Sequence, residues 1–122
     1  MLAKLRLKVK KFDPKRTKII FVLVYQARDL SAKDINGKSD PFCVVELDST
    51  RLRTHTIYKT LDPIWNKSFV LPVQDIHSVI ELTIFDEDTN QTTEFIGKIT
   101  LPLLAVKDFF RRCFFEIFFF VF

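Results

Sequence analysis

Asp86, Asp88 and Glu94 are the side chains of this sequence best placed to do chemistry, spaced along the stretch FDEDTNQTTEFIG that runs from Phe85 to Gly97. Side chains on alternate residues of an extended segment point the same way, so Asp86 and Asp88 can converge on one point. Their repulsion is relieved by a hard cation. Calcium suits such a set, because it takes about six to eight oxygen ligands in a flexible geometry. Taken alone, the stretch is equally compatible with a solvated acidic turn that closes a hairpin.

A second loop holds two more acids. Between Ala27 and Phe42 the chain reads ARDLSAKDINGKSDPF, with Asp34 and Asp40 on either side of Asn36-Gly37. An Asn-Gly pair favours a tight turn, which folds the loop back and brings both carboxylates together. The spacing lacks the alternating acids and terminal glutamate of an EF-hand loop.

The basic segment Arg51-Leu52-Arg53-Thr54-His55 sets Arg51, Arg53 and His55 on one face of an extended run, and Lys59 lengthens the row. Each basic group close to an anionic surface contributes roughly 1 kcal/mol. The row therefore fits an anionic surface as well as it fits the solvated face of an ordinary sheet. His55 and His77 have no serine or cysteine arrangement that makes a nucleophile and base pair. Trp65, beside Asp62-Pro63, reads as a packing anchor after a turn. P-loop, dinucleotide and nucleophile-elbow motifs are missing from the sequence, so no catalytic residue and no enzymatic activity are expected.

With 122 residues and 48% apolar content, the chain can build one compact core but not two. The net charge of +4 is moderate and favours an acidic partner such as anionic lipid. Nucleic acid is disfavoured, because the phenylalanines fall in core-like positions and in the tail rather than among the basic residues. Cys43 and Cys113 have no metal or redox spacing and are expected as reduced thiols. Met1 to Lys11 is basic but lacks the apolar core of a secretory signal.

Eight of the 14 phenylalanines lie between Phe109 and Phe122. The uncharged end, Ile117 to Phe122, is far shorter than the ~20 residues of a membrane-spanning helix. It reads either as a buried terminal strand or as a truncated or membrane-dipping end.

Positioning the two acidic loops falls to strands. Short β-branched and apolar runs recur at roughly 8–12 residues, the pattern of an all-β sandwich. Strands are expected at Leu5–Val9, Lys18–Tyr25, Phe42–Leu47, Leu52–Tyr58, Ser68–Leu71, Val79–Phe85, Ile96–Leu101 and Phe114–Val121. The first alternates apolar and basic side chains, as an edge strand protected by lysines does. The second is nearly all apolar and is expected to be central and buried on both faces. A sandwich gathers its loops at its ends, so the Asp34/Asp40 loop and the Asp86/Asp88/Glu94 loop can face one another.

Ser39-Asp40-Pro41-Phe42, Lys59-Thr60-Leu61-Asp62-Pro63-Ile64-Trp65-Asn66, and Phe85-Asp86-Glu87-Asp88 with Phe95-Ile96-Gly97 together resemble a C2 domain, an eight-stranded antiparallel β-sandwich. The resemblance covers residues 18–106 of a domain expected over 1–106, followed by an atypical phenylalanine-rich tail over 107–122. Thr54-His55-Thr56-Ile57-Tyr58-Lys59 and Asp75-Ile76-His77 look most like the third C2 domain of multiple C2 and transmembrane domain proteins. Extended-synaptotagmin-like tethers are the nearest competitor.

The resemblance implies Ca²⁺ as cofactor, with Asp34, Asp40, Asp86, Asp88 and Glu94 as ligands and the backbone carbonyls of Lys33 and Glu87 as additional ones. Glu94 stands where the family usually carries aspartate, and Asn90 and Gln91 are neutral where a more acidic loop raises affinity. It further implies calcium-dependent binding of an anionic phospholipid membrane, as a sensor or tether. Ile35 is the apolar side chain of the first tip, and Arg51, Arg53, His55 and Lys59 form a patch for lipid or a protein partner. The expected setting is the cytosolic face of the endoplasmic reticulum or a vesicle, within a membrane-anchored parent. The alternative is a calcium-independent protein-interaction or structural domain. After Leu101-Pro102-Leu103-Leu104 the family's closing strand is expected to be missing, with the run at Leu5–Val9 in its place.

Overall fold

The alternation of Leu5 to Lys10 is what a strand with one wet face needs, and it is realised in β1 (Leu2–Lys11). The computed structural model describes residues 2–11, 19–31, 38–87, 92–105 and 115–120. The remaining strands are β2 (Ile19–Arg28), β3 (Pro41–Leu47), β4 (Thr50–Arg53), β5 (Ile64–Pro72), β6 (Val79–Glu87), β7 (Thr93–Pro102) and β8 (Phe115–Phe120), with a 3-10 turn at Leu103–Ala105. They form two four-stranded sheets, in the orders β5-β2-β1-β8 and β4-β3-β6-β7. Neighbouring strands run antiparallel throughout.

The core lies between the sheets. Leu5, Leu7, Val9, Val22 and Val24 enter it from the first, and Cys43, Val45, Leu47, Ile80, Leu82, Ile84 and Ile96 from the second. Each fully buried Val, Leu or Ile contributes roughly 1.5–3 kcal/mol, so this alternation fixes which face of each strand turns inward. Trp65 is buried, as a packing anchor should be.

Three expectations are corrected. β1 is not an edge strand, because β8 pairs along it from Leu2↔Phe120 to Leu7↔Phe115. The phenylalanine-rich segment therefore supplies a closing strand, and the N-terminal run is its neighbour rather than its substitute. Phenylalanine and isoleucine favour the pleated conformation, and the outer side of β1 offers backbone groups to pair with.

The strand buried on both faces is β3, not β2. β2 is central but alternates buried with half-buried side chains along most of its length. On the outer side of β3, the ring of Phe85 stacks on Phe42 at 5.6 Å and the Arg53 guanidinium lies 3.7 Å from the centre of the Phe42 ring. Phe42 and Val44 are thereby buried on a face that would otherwise be wet.

The strand expected over Leu52–Tyr58 covers only Thr50–Arg53. Thr54 turns inward, where its Oγ accepts the N–H of Cys43 at 2.9 Å and donates to the carbonyl of His55 at 3.0 Å. Local side-chain bonding of this kind competes with a regular ladder.

Candidate metal centre

β3 begins where β6 ends, with Pro41 opposite Asp86. Asp40, one residue before β3, therefore meets Asp86 at one end of the sandwich. The N–H of Asp40 donates to Oδ1 of Asp86 at 2.7 Å. The N–H of Glu87 donates to the Asp40 carbonyl at 2.8 Å, and that of Lys59 to Asp40 Oδ1 at 2.7 Å. Asp86 is only 3% exposed, and burial of a carboxylate is costly unless hydrogen bonds replace its water. Both carboxylates are thus oriented by backbone amides before any ligand arrives.

A β-bulge sets Glu94 opposite Asp86 in the ladder. The ladder between β6 and β7 runs Ile84↔Gly97 and then Phe85↔Phe95, which leaves Ile96 as the extra residue. Asp86 consequently faces Glu94; without the bulge it would face Phe95. Directly opposed residues share one face of a sheet, so the bulge turns Glu94 toward the face that carries Asp86, without closing Asp40, Asp86 and Glu94 into a three-acid group. Bulges commonly re-aim side chains in this way. Glu94 remains exposed, and Ile96 is fully buried.

Asp34, Asp88, Lys33 and Ile35 lie outside the described residues, as do Asn90 and Gln91. Among the described residues no three His, Cys, Asp or Glu side chains lie close enough to hold a metal ion by themselves. The pair that is described still fits a calcium ion in its chemistry: both donors are hard oxygens, and each carboxylate is anchored through one oxygen by a peptide N–H.

Sequence reasoning read Lys59 as a charge in a basic row and missed its amide. Lys59 sits at φ 57°, a left-handed conformation uncommon for a non-glycine residue, and that conformation accompanies the hydrogen bond to Asp40. The surrounding loop is tied on several sides. Ile57 N–H and Trp65 Nε1 both donate to the Pro41 carbonyl, at 3.1 and 3.2 Å, and Thr60 N–H donates to the Ser39 carbonyl at 2.8 Å. Ser39 is fully buried, and its hydroxyl donates to the Ser31 carbonyl at 3.1 Å. The signal was Ser39-Asp40-Pro41 itself, polar residues before a strand that starts on proline. Glu87 turns away from the acid pair to accept the Tyr58 hydroxyl at 3.3 Å and to approach Arg53 at 3.8 Å.

The basic row is divided. Arg51 and Arg53 lie on β4, whereas His55 and Lys59 lie on the connection that follows. Arg51 pairs with Glu46 at 2.8 Å. Arg53 donates to the Thr54 carbonyl at 3.0 Å and the Thr56 hydroxyl at 2.9 Å while covering Phe42. These two arginines border a depression of about 390 Å³ with Phe42, Val44 and Phe85, and much of their charge is compensated locally. Beneath it, burial pushes the Cys43 thiol up to about 12, so the free cysteine stays protonated.

Residues 18–113 match the model of the C2 domain family. Over 102 residues the chain is 51% identical to "Multiple C2 and transmembrane domain-containing protein 2" of Mus musculus, covering 84% of this chain and 12% of that protein. The chain thus spans only a small part of the relative's length. The fold is shared with a C2 domain of RIM from Drosophila, with a TM-score of 0.82 at 21% identity over 96% of this chain and 97% of that one. A calcium-bound structure of two C2 domains of Extended-Synaptotagmin 2 gives a TM-score of 0.67 at 26% identity, over 74% of this chain and 36% of that one. Two four-stranded antiparallel sheets, an acid pair locked where β3 meets β6, and these matches have one conclusion: the chain belongs to the C2 domain family, and its relatives include the multiple C2 and transmembrane domain proteins.

Proposed function

We propose that this chain is a calcium-dependent membrane-binding module whose ion site is built by Asp34, Asp40, Asp86, Asp88 and Glu94, with the carbonyls of Lys33 and Glu87. The observation that carries the reading is the hydrogen bond from Asp40 N–H to the buried Asp86 carboxylate. It joins acids distant in sequence into one preorganised pair. The calcium-bound state of Extended-Synaptotagmin 2 supports the same reading.

The chain's own residues set the switch. Acids of one sign at one end of a rigid sandwich repel anionic headgroups, and the amides of Asp40 and Lys59 hold the carboxylates in place without neutralising them. Calcium, when bound, supplies the opposite charge and accepts lipid phosphate oxygens as further ligands. Ile35 is the apolar residue assigned to the first tip, so insertion is shallow. The relative's name pairs C2 domains with transmembrane domains. This supports a place for the chain in a membrane-anchored parent, on the cytosolic face of the endoplasmic reticulum or a vesicle, as sensor or tether. No catalytic role is proposed.

Co-sedimentation with phosphatidylserine vesicles tests the proposal. Binding is expected to rise when calcium replaces a chelator. Equal binding in both conditions, or none in either, contradicts it.

A further inference from the structure

The connection from β4 to β5 supplies none of the ligands proposed for the ion, yet consecutive residues of it hold both described ends of the loop that carries Asp34 and Asp40. Where that loop ends, Lys59 N–H donates to Asp40 Oδ1 at 2.7 Å and Thr60 N–H to the Ser39 carbonyl at 2.8 Å. Where it begins, the Leu61 carbonyl accepts Leu30 N–H at 3.1 Å, Asp62 Oδ1 accepts Asp29 N–H at 3.1 Å, and the Pro63 carbonyl accepts Ala27 N–H at 3.0 Å. Every residue from Lys59 to Pro63 makes one of these bonds, so the two ends of the loop are joined through a segment outside it.

Two carboxylates are exchanged across this junction. The loop supplies Asp40 to the amide of Lys59, and the connection supplies Asp62 to the amide of Asp29. Both donors are left-handed, Asp29 at φ 60° and Lys59 at φ 57°, a conformation that non-glycine residues keep only where their surroundings hold it. Asp62 is fixed locally in turn, since its N–H donates to Thr60 Oγ1 at 3.0 Å, a side-chain turn of the kind threonine forms. Pro63, which follows, is buried and has its φ locked by its ring. The bond from Trp65 Nε1 to the Pro41 carbonyl then anchors the start of β5. The clamp is thus rooted in the core.

Holding both ends of a loop before binding reduces the freedom that the loop loses when a ligand orders it. We propose that Asp62 is a positioning residue for the ion site: by accepting the amide of Asp29 it holds the start of the first acidic loop while Lys59 and Thr60 hold its end, and calcium affinity depends on it although it does not touch the ion. The inference rests on the calcium site proposed above. A through-space effect of the Asp62 charge is the competing cause, since Asp62 borders the same depression as Lys4 and Arg28. Asparagine separates the two, because it keeps the acceptor and loses the charge.

Calorimetric titration of the full chain with Ca²⁺, together with amide exchange in chelator, tests the assignment. Asp62→Ala is expected to weaken calcium binding roughly three- to tenfold, as the net worth of one lost hydrogen bond allows. It is also expected to speed exchange at Leu30 and Thr60, whose own acceptors are unchanged. Asp62→Asn is expected to stay within about twofold of the wild type. Thr60→Val leaves Asp62 N–H without its acceptor and is expected to move both readouts in the same direction, which keeps the test open should Asp62→Ala fail to fold. Asp75→Ala is the control. Beyond the far end of β5, Asp75 accepts His77 N–H at 2.8 Å, so the same charge and the same kind of bond are lost, and calcium affinity is expected to be unchanged. Equal loss of affinity in Asp62→Ala and Asp62→Asn assigns the effect to charge and overturns the proposal. Equal loss in Asp62→Ala and Asp75→Ala, or unchanged affinity or unchanged exchange in Asp62→Ala, overturns it too while leaving the calcium site standing. A wild-type chain that gives no heat contradicts the calcium site itself, and the positioning role with it.

Discussion

The amide of Asp40 donates to Oδ1 of Asp86 at 2.7 Å, so the acid near the end of β6 holds the entrance to β3. Asp86→Asn keeps an oxygen that can accept this bond and is expected to lose less stability in urea than a variant that lacks the acceptor. Asp86→Ala leaves a part-buried N–H without its acceptor and is expected to cost ~1–3 kcal/mol. Equal stability of the two variants in chelator would show that the hydrogen bond does not hold the tip.

Lys59 contributes through its backbone as well as its charge. Its φ of 57° is unfavourable for a side chain with a β-carbon and worse for a branched one. Lys59→Val is expected to lose ~1–2 kcal/mol or more, whereas Lys59→Gly, which adopts the left-handed region freely, is expected to be nearly neutral. Denaturant titration of both variants reads the difference.

The sandwich was legible because its physics is local. Alternating Leu5, Leu7 and Val9 beside Lys4, Arg6 and Lys8 specify one buried face, and Asp62-Pro63 and Leu71-Pro72 bracket β5 where chain breakers belong. The pairing of Asp40 with Asp86 was legible through their place in two recognisable loops. Other features depend on tertiary partners that no local pattern encodes. The bulge at Ile96 aligns Glu94 with Asp86 only because β6 is its neighbour. β3 is buried on its outer face because Arg53 and Phe85 happen to cover Phe42. Thr54 ended β4 early by bonding inward to Cys43, which its strand-forming residue type conceals.

Cys43 makes stability fall in alkali. Burial raises its pKa from 9.0 to about 12, so above pH 9 the unfolded chain loses the thiol proton while the folded chain keeps it. The unfolded state then binds fewer protons, and stability falls as pH rises, by about 1.4 kcal/mol per unit between those values for this group alone. Below pH 9 the contribution is level. Cys43→Ala is expected to be less stable at neutral pH, through a small cavity, yet to lose stability less steeply between pH 9 and 12. Parallel slopes for the two proteins would contradict the assignment.

β8 covers the outer side of β1 over Leu2 to Leu7. Removal of residues 107–122 is expected to expose that ladder, lower the urea midpoint by the equivalent of a few kcal/mol, and cause aggregation visible by light scattering. An unchanged midpoint with a monodisperse product would show that residues 1–106 are complete without the strand.

Calorimetric titration with Ca²⁺ tests the central proposal most directly. The wild-type chain is expected to give a saturable heat that disappears when Asp40→Asn and Asp86→Asn are combined, while the variant keeps its fold in chelator. A flat trace for the wild-type chain, or an undiminished heat in the double variant, would contradict a calcium site built on the Asp40 and Asp86 pair.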